Sequence, residues 1–139
     1  MGGLLQVLDS LHDVDVVSLR SPLDPESRRV LLHGSAAVLA NSKHEPFGLV
    51  GLETMAVGGV ACTGCSGEDY AVPGRNALVL ETTDPREFLG LFGELRANPA
   101  HERALRQAGR LTAKHYAWRQ ILQRHLLPRL RLLATVSLS

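Results

Sequence analysis

No stretch of this sequence approaches the roughly 18 consecutive apolar residues of a membrane-crossing helix. The first five residues, MGGLL, lack the basic start and small-residue cleavage site of a secretion signal. Both absences lead to the expectation of a cytoplasmic protein with no transmembrane segment. Net charge is nearly absent as well, at +1 over 139 residues. Such a balance gives bulk electrostatics no reason to recruit nucleic acid or a membrane surface. Cysteine is scarce: Cys62 and Cys65 form one C-x-x-C, and no second pair exists to complete a metal site. Cys62 sits in the apolar run Val60 to Thr63, so the reading is a core residue followed by a loop residue, with no metal. Internal repeats and low-complexity linkers are missing, which leaves one domain over residues 1–139.

The remaining pattern alternates short apolar runs with helical periodicity. Residues 4–11 read as a short helix. Val14 to Leu19 reads as a buried parallel strand. Asp24-Pro25 is a helix start, with aspartate as cap and proline in the first turn, and Gly34 is its end. Ala36 to Ala40 is the second strand, Val60 to Thr63 the third, and Asn76 to Glu81 the fourth. Asp84-Pro85 opens a helix whose Phe88, Leu91, Phe92 and Leu95 share one face. Asn98-Pro99 breaks it. Another helix carries Ala104, Leu105, Ala108 and Leu111, and a last one begins near Trp118, with Pro128 expected to kink or restart it. Strands alternating with helices mean an α/β fold with a parallel sheet, here of about four strands, and a helical C-terminus.

One stretch stands out. After the apolar run ending at Ala40 comes Ser42-Lys-His-Glu-Pro-Phe-Gly-Leu-Val-Gly-Leu-Glu53, with Glu45 and Glu53 separated by seven residues. A strand feeding a polar loop, then Gly48, then a helix start, is how parallel sheets build ligand sites. The free backbone N–H groups of such a helix start favour phosphate.

Ser42, Glu45, Phe47, Gly48, Glu53, Met55, Ala56 and Gly58 fall on S-x-x-E-x-F-G-x-x-x-x-E-x-M-A-x-G. This string resembles the E-x7-E signature of retaining glycosyltransferases with the GT-B fold, in particular family 4. The resemblance covers about residues 14–118. It corresponds to part of the Rossmann-like, donor-binding C-terminal domain of that family.

The resemblance implies a donor site made by Glu45, Phe47, Gly48, Leu49 and Glu53. Glu53 would accept hydrogen bonds from a ribose diol; taken alone it reads instead as a helix glutamate near a favourable dipole end. Glu45 would contact donor-sugar hydroxyls and support positive charge developing at the anomeric carbon, which makes it the catalytic candidate; taken alone it is a loop carboxylate. The amides around Gly48 would face the sugar and diphosphate, with Phe47 as a packing anchor. His44 reads as an ordinary loop histidine, Arg20 to Pro22 as the neighbourhood of a base pocket, and Glu68 and Asp69 as cleft-lining or capping groups.

The implied reaction is retaining transfer of a hexose from a nucleotide-diphosphate sugar. The implied substrate is the nucleotide sugar, with no cofactor and no obligatory metal. Nothing before Val14 matches the family's diphosphate-neutralising Arg/Lys pair or its N-terminal acceptor domain. The expectation is therefore that a missing acceptor domain or another chain completes the enzyme. The alternative is a non-catalytic nucleotide-binding or interaction module, or a stable, inactive piece of a larger gene product. Two strands fewer than the family's sheet would place Val14 to Leu19 directly beside Ala36 to Ala40. The leftover apolar surface implies self-association, most simply as a homodimer.

Overall fold

In a computed structural model, residues 16–41, 47–64 and 69–136 are described, residues 135 and 136 without their side chains. The element order is α1 (Pro25–Gly34), β1 (Val38–Ala40), α2 (Leu49–Val57), β2 (Ala61–Gly64), β3 (Leu78–Leu80), α3 (Pro85–Ala97), α4 (Pro99–His115) and α5 (Trp118–Ile121). A π turn (Leu122–Leu126) then leads into α6 (Leu127–Val136). The sheet order is β1-β2-β3, all parallel, with Val38 opposite Ala61 and Cys62 opposite Leu78.

Local chemistry starts α1, α3 and α4. The Asp24 carboxylate accepts from the Glu26 and Ser27 amides, both at 3.0 Å, and the Asp84 carboxylate accepts from Arg86 N–H at 2.9 Å. Asn98 caps α4 by accepting from His101 N–H at 3.0 Å. In all three cases a proline follows the cap, where its missing N–H costs nothing. Gly58 ends α2 with φ of 78°, the left-handed geometry that favours glycine.

Strand β2 separates two cores because successive side chains point to opposite faces. Ala61 joins Leu52, Met55, Tyr70, Ala77 and Ala113 on one side. Val60 and Cys62 join Leu78, Leu80, Leu95 and Leu105 on the other. Helix α4 reaches both, giving Leu105 to the second core and Ala113 to the first. The C-terminus of α2 is tied down by two arginines, as a helix dipole favours, and by His33. Arg110 donates to Val57 O at 3.1 Å, Arg106 donates to Gly58 O at 3.0 Å, and His33 Nδ1 lies 2.8 Å from Val57 O. A carbonyl only accepts, so His33 carries its proton on Nδ1.

The sheet departs from expectation on its β1 side. Among the described residues there are three strands, not four. Residues 16–20 form no strand and do not pair with β1, and Val17 and Leu19 are exposed. A parallel strand is held by its neighbours and by cover on both faces, and no described strand pairs with residues 16–20. The outer edge of β1 accordingly has no described neighbour. The last expected strand is shorter than read: Asn76 stays outside it because its side chain is used elsewhere, bonding Val72 N–H, Tyr70 O and Thr112 Oγ1. Pro128 does restart the final helix, just past the π turn, where Leu127 N–H bonds back to Leu122 O. The helix expected at 4–11 lies outside the described residues.

Three surface carboxylates give the fold an acid-sensitive part. The Ser27 hydroxyl holds Asp24 below its ordinary range, the Arg86 side chain does so for Asp84, and the Thr82 hydroxyl for Glu87. A depressed folded value means stabilisation that is complete above the unfolded value and lost as pH falls through the folded one. The thermal midpoint is therefore expected to be flat near neutrality and to drop below about pH 4. Asp24→Asn and Asp84→Asn should lower the midpoint at neutral pH and flatten that acid limb. An unchanged acid limb in the double variant would contradict the assignment.

Candidate functional site at the start of helix α2

The C-terminal ends of β1 and β2 and the N-terminus of α2 meet at one place. Gly48 caps α2 with extended backbone geometry and no side-chain cap bond, so the first amides of the helix are not occupied by a capping side chain. The Gly48 carbonyl accepts a hydrogen bond from the Tyr70 hydroxyl, which anchors the loop from behind. Tyr70 is buried, and its phenol reaches under the helix. A Cβ on Gly51 would lie 2.6 Å from the Tyr70 oxygen and 3.0 Å from Thr63 Cγ2, so no larger side chain fits without movement.

Phe47 packs edge-on to Tyr70 at 5.6 Å between centroids and against Tyr116 at 5.8 Å. Tyr70 and Tyr116 close the triangle at 5.9 Å. Aromatic groups at such spacings attract beyond simple burial. The triangle fixes the loop just before α2 to the loop after β2 and to the end of α4.

Glu53 lies on the second turn of α2, with its side chain 39% exposed. Its carboxylate is 3.3 Å from the Arg28 guanidinium of α1. An exposed pair of this kind contributes at most about 1 kcal/mol. A diol donating two charge-assisted bonds would outweigh it, since hydrogen bonds to charged groups contribute about 1.5–3 kcal/mol.

Phe47, Gly48, Leu49 and Glu53 thus run along one segment, from the loop into the second turn. Leu49 is exposed and offers its backbone to the site. Glu45 and His44 lie outside the described residues, as do Cys65 and Glu68. Arg20 to Pro22 form an exposed, irregular lead into α1. Asp69 is exposed and, with Tyr70, Arg75, Thr112, His115 and Tyr116, lines a cavity of about 530 Å³ beside the aromatic triangle.

Four contributors escaped sequence reasoning. Tyr70 and Tyr116 hold the loop, Arg28 meets Glu53, and Thr63 lies fully buried next to the last residue of β2. The Thr63 hydroxyl has no hydrogen-bond partner among the described residues. A tyrosine inside an otherwise glycine-rich, polar loop was the one available signal.

No protein-family model and no curated protein matches the sequence. Solved structures do match. Sucrose-phosphate synthase from Thermosynechococcus elongatus aligns with a TM-score of 0.75 and 27% identity, over 96% of this chain and 34% of that one. The C-terminal domain of LpcC, a glycosyl transferase group 1 family protein from Francisella tularensis, aligns with a TM-score of 0.62 and 18% identity. That match covers 69% of this chain and 50% of the other. The chain therefore spans half or less of each of these two structures. Its fold is the α/β fold of a GT-B glycosyltransferase C-terminal domain.

Proposed function

We propose that the chain is the donor-binding part of a retaining glycosyltransferase that moves a hexose from a nucleotide-diphosphate sugar. The observation that carries this reading is the start of α2. Amides without a side-chain cap, a buttressed glycine and a half-exposed carboxylate in the second turn are what a diphosphate next to a ribose requires.

In this reading the Gly48 and Leu49 amides receive the diphosphate and sugar. Gly48 has no side chain, so the ligand can approach the backbone closely. Glu53 leaves Arg28 and accepts from the ribose diol. During transfer the bond from the anomeric carbon to the diphosphate oxygen breaks, the acceptor hydroxyl oxygen bonds to the same face, and its proton passes to the departing diphosphate oxygen. The diphosphate departs with the electron pair, and the helix start stabilises that growing charge. Glu45 stabilises the positive charge at the anomeric carbon. No step calls for a metal. A second domain or another chain supplies the acceptor and further cations for the leaving group.

Calorimetry with a nucleoside diphosphate and its sugar conjugate tests the reading. Glu45→Ala should shrink the affinity difference between the two ligands and leave nucleotide affinity nearly unchanged. The 139-residue chain by itself should show no transfer above background, because the charge clamp on the leaving group is incomplete. Robust turnover by the purified chain, abolished by Glu45→Ala, would contradict the need for a second domain. Nucleotide affinity that never distinguishes the sugar conjugate would favour a binding module without transfer.

A further inference from the structure

A cavity of about 560 Å³ opens at the opposite end of α2 from Gly48. It is lined by Arg29, Val30 and His33 of α1, Ala56 and Val57 of α2, and Arg110 of α4. Three of these side chains are basic and none is a carboxylate. One atom fixes their closeness. The Val57 carbonyl accepts from Arg110 at 3.1 Å and lies 2.8 Å from His33 Nδ1, so the two basic groups are immediate neighbours. Gly58 permits the approach, because a Cβ there would collide with Arg110 Nε.

The end of α2 does not balance this charge. A helix C-terminus carries about half a negative charge. Arg106 donates to the same end, at Gly58 O, but Glu102 neutralises it at 2.8 Å. Arg110 and Arg29 form no ion pair among the described residues. The nearby carboxylates of α1 and α2 serve elsewhere. Glu26 lines the neighbouring groove with Leu19 and Leu23, and Glu53 pairs with Arg28. Two full positive charges therefore face half a negative one, and a protonated His33 adds a third. Like charges held together repel, so an anion from outside would stabilise the arrangement.

We infer that this cavity is a second anion site, which takes a phosphate dianion, either free or as the monoester of a small organic molecule. The planar fork of a guanidinium matches phosphate geometry. Arg110 commits one of its five N–H groups to Val57 O, and Arg29 is exposed. The cavity lies in the size range of small-molecule sites. Val30, Ala56 and Val57 offer an apolar wall for the organic part of an ester. The nine residues of α2 span about 13 Å, so one phosphate cannot occupy both ends of the helix. The inference does not rest on the donor reading.

Calorimetry on the full chain tests it, with inorganic phosphate and phenyl phosphate as probes and chloride holding the ionic strength constant. Saturable binding of at least one probe is expected. Tighter binding of phenyl phosphate would identify a monoester as the ligand, and equal or tighter binding of inorganic phosphate would identify the free ion. Arg29→Gln should weaken the tighter probe about ten-fold while the thermal midpoint stays unchanged, since Arg29 is exposed on α1. Arg110→Lys keeps the charge at the helix end but loses the fork, and should weaken the same probe. Arg103→Gln removes an exposed arginine of α4 that does not line the cavity, and should change nothing. No saturable binding of either probe would overturn the inference. Wild-type affinity in both Arg29→Gln and Arg110→Lys would put the phosphate elsewhere, the start of α2 included, and overturn it equally. So would equal losses in Arg29→Gln and Arg103→Gln, because general charge attraction would then explain the binding.

Discussion

Met55→Ala is expected to lower the stability of the domain by about 2–5 kcal/mol, the cost of emptying a well-packed core site. Met55 is fully buried, and it fills the junction of α2, the sheet and α4. A Cβ on Gly109 of α4 would meet its Cγ at 3.2 Å, so the two helices are already as close as that side chain permits. Its core neighbours Ala61, Ala77 and Ala113 are too small to swing into a cavity. Domains of ordinary stability have about 5–15 kcal/mol in total, so the variant should stand near its unfolding threshold. Urea denaturation with an unchanged slope would measure the loss. A loss below about 1 kcal/mol would mean that the site relaxes and that α2 is not anchored through Met55.

The consequence reaches the functional end of the same helix. Met55 lies two residues beyond Glu53 and seven beyond Gly48. Any tilt of α2 that follows its loss moves the amides and the carboxylate together. Ligand binding should suffer in Met55→Ala even though Met55 lies in the core.

Helix starts were legible in the sequence because a cap is local chemistry. Asp24-Pro25, Asp84-Pro85 and Asn98-Pro99 each carry the cap and the proline within two residues, and each begins a helix. Gly58 was legible as a stop for the same reason. Strands fared less evenly. The runs at Ala36 and Val60 hold because they pair with each other. Val16, Val17 and Leu19 are as apolar as either, yet a strand exists only through strand pairing, and no described strand pairs with residues 16–20. At the site, the order Phe47, Gly48, Glu53 was legible because it is contiguous. The aromatic triangle was not: Tyr70 and Tyr116 come to Phe47 from distant loops, and nothing in their own surroundings announces the meeting. Arg28 is a further example, since a surface arginine on α1 gave no sign of its carboxylate.

The ribose assignment of Glu53 carries the second large effect, and the account stands or falls on it. If α2 receives a nucleoside diphosphate, Glu53→Ala removes the charged acceptor of two hydrogen bonds and should weaken binding by about 1.5–3 kcal/mol. Arg28→Ala should leave affinity within about 1 kcal/mol of wild type, because the exposed pair it breaks contributes little. The two variants therefore separate recognition from surface electrostatics. The deciding measurement is a calorimetric titration of the wild-type chain, Glu53→Ala and Arg28→Ala with a panel of nucleoside diphosphates and their sugar conjugates. The account predicts binding of at least one member by wild type, a loss of roughly ten-fold or more in Glu53→Ala, and near-wild-type affinity in Arg28→Ala. Equal affinity of wild type and Glu53→Ala, or no binding by any member of the panel, would contradict it.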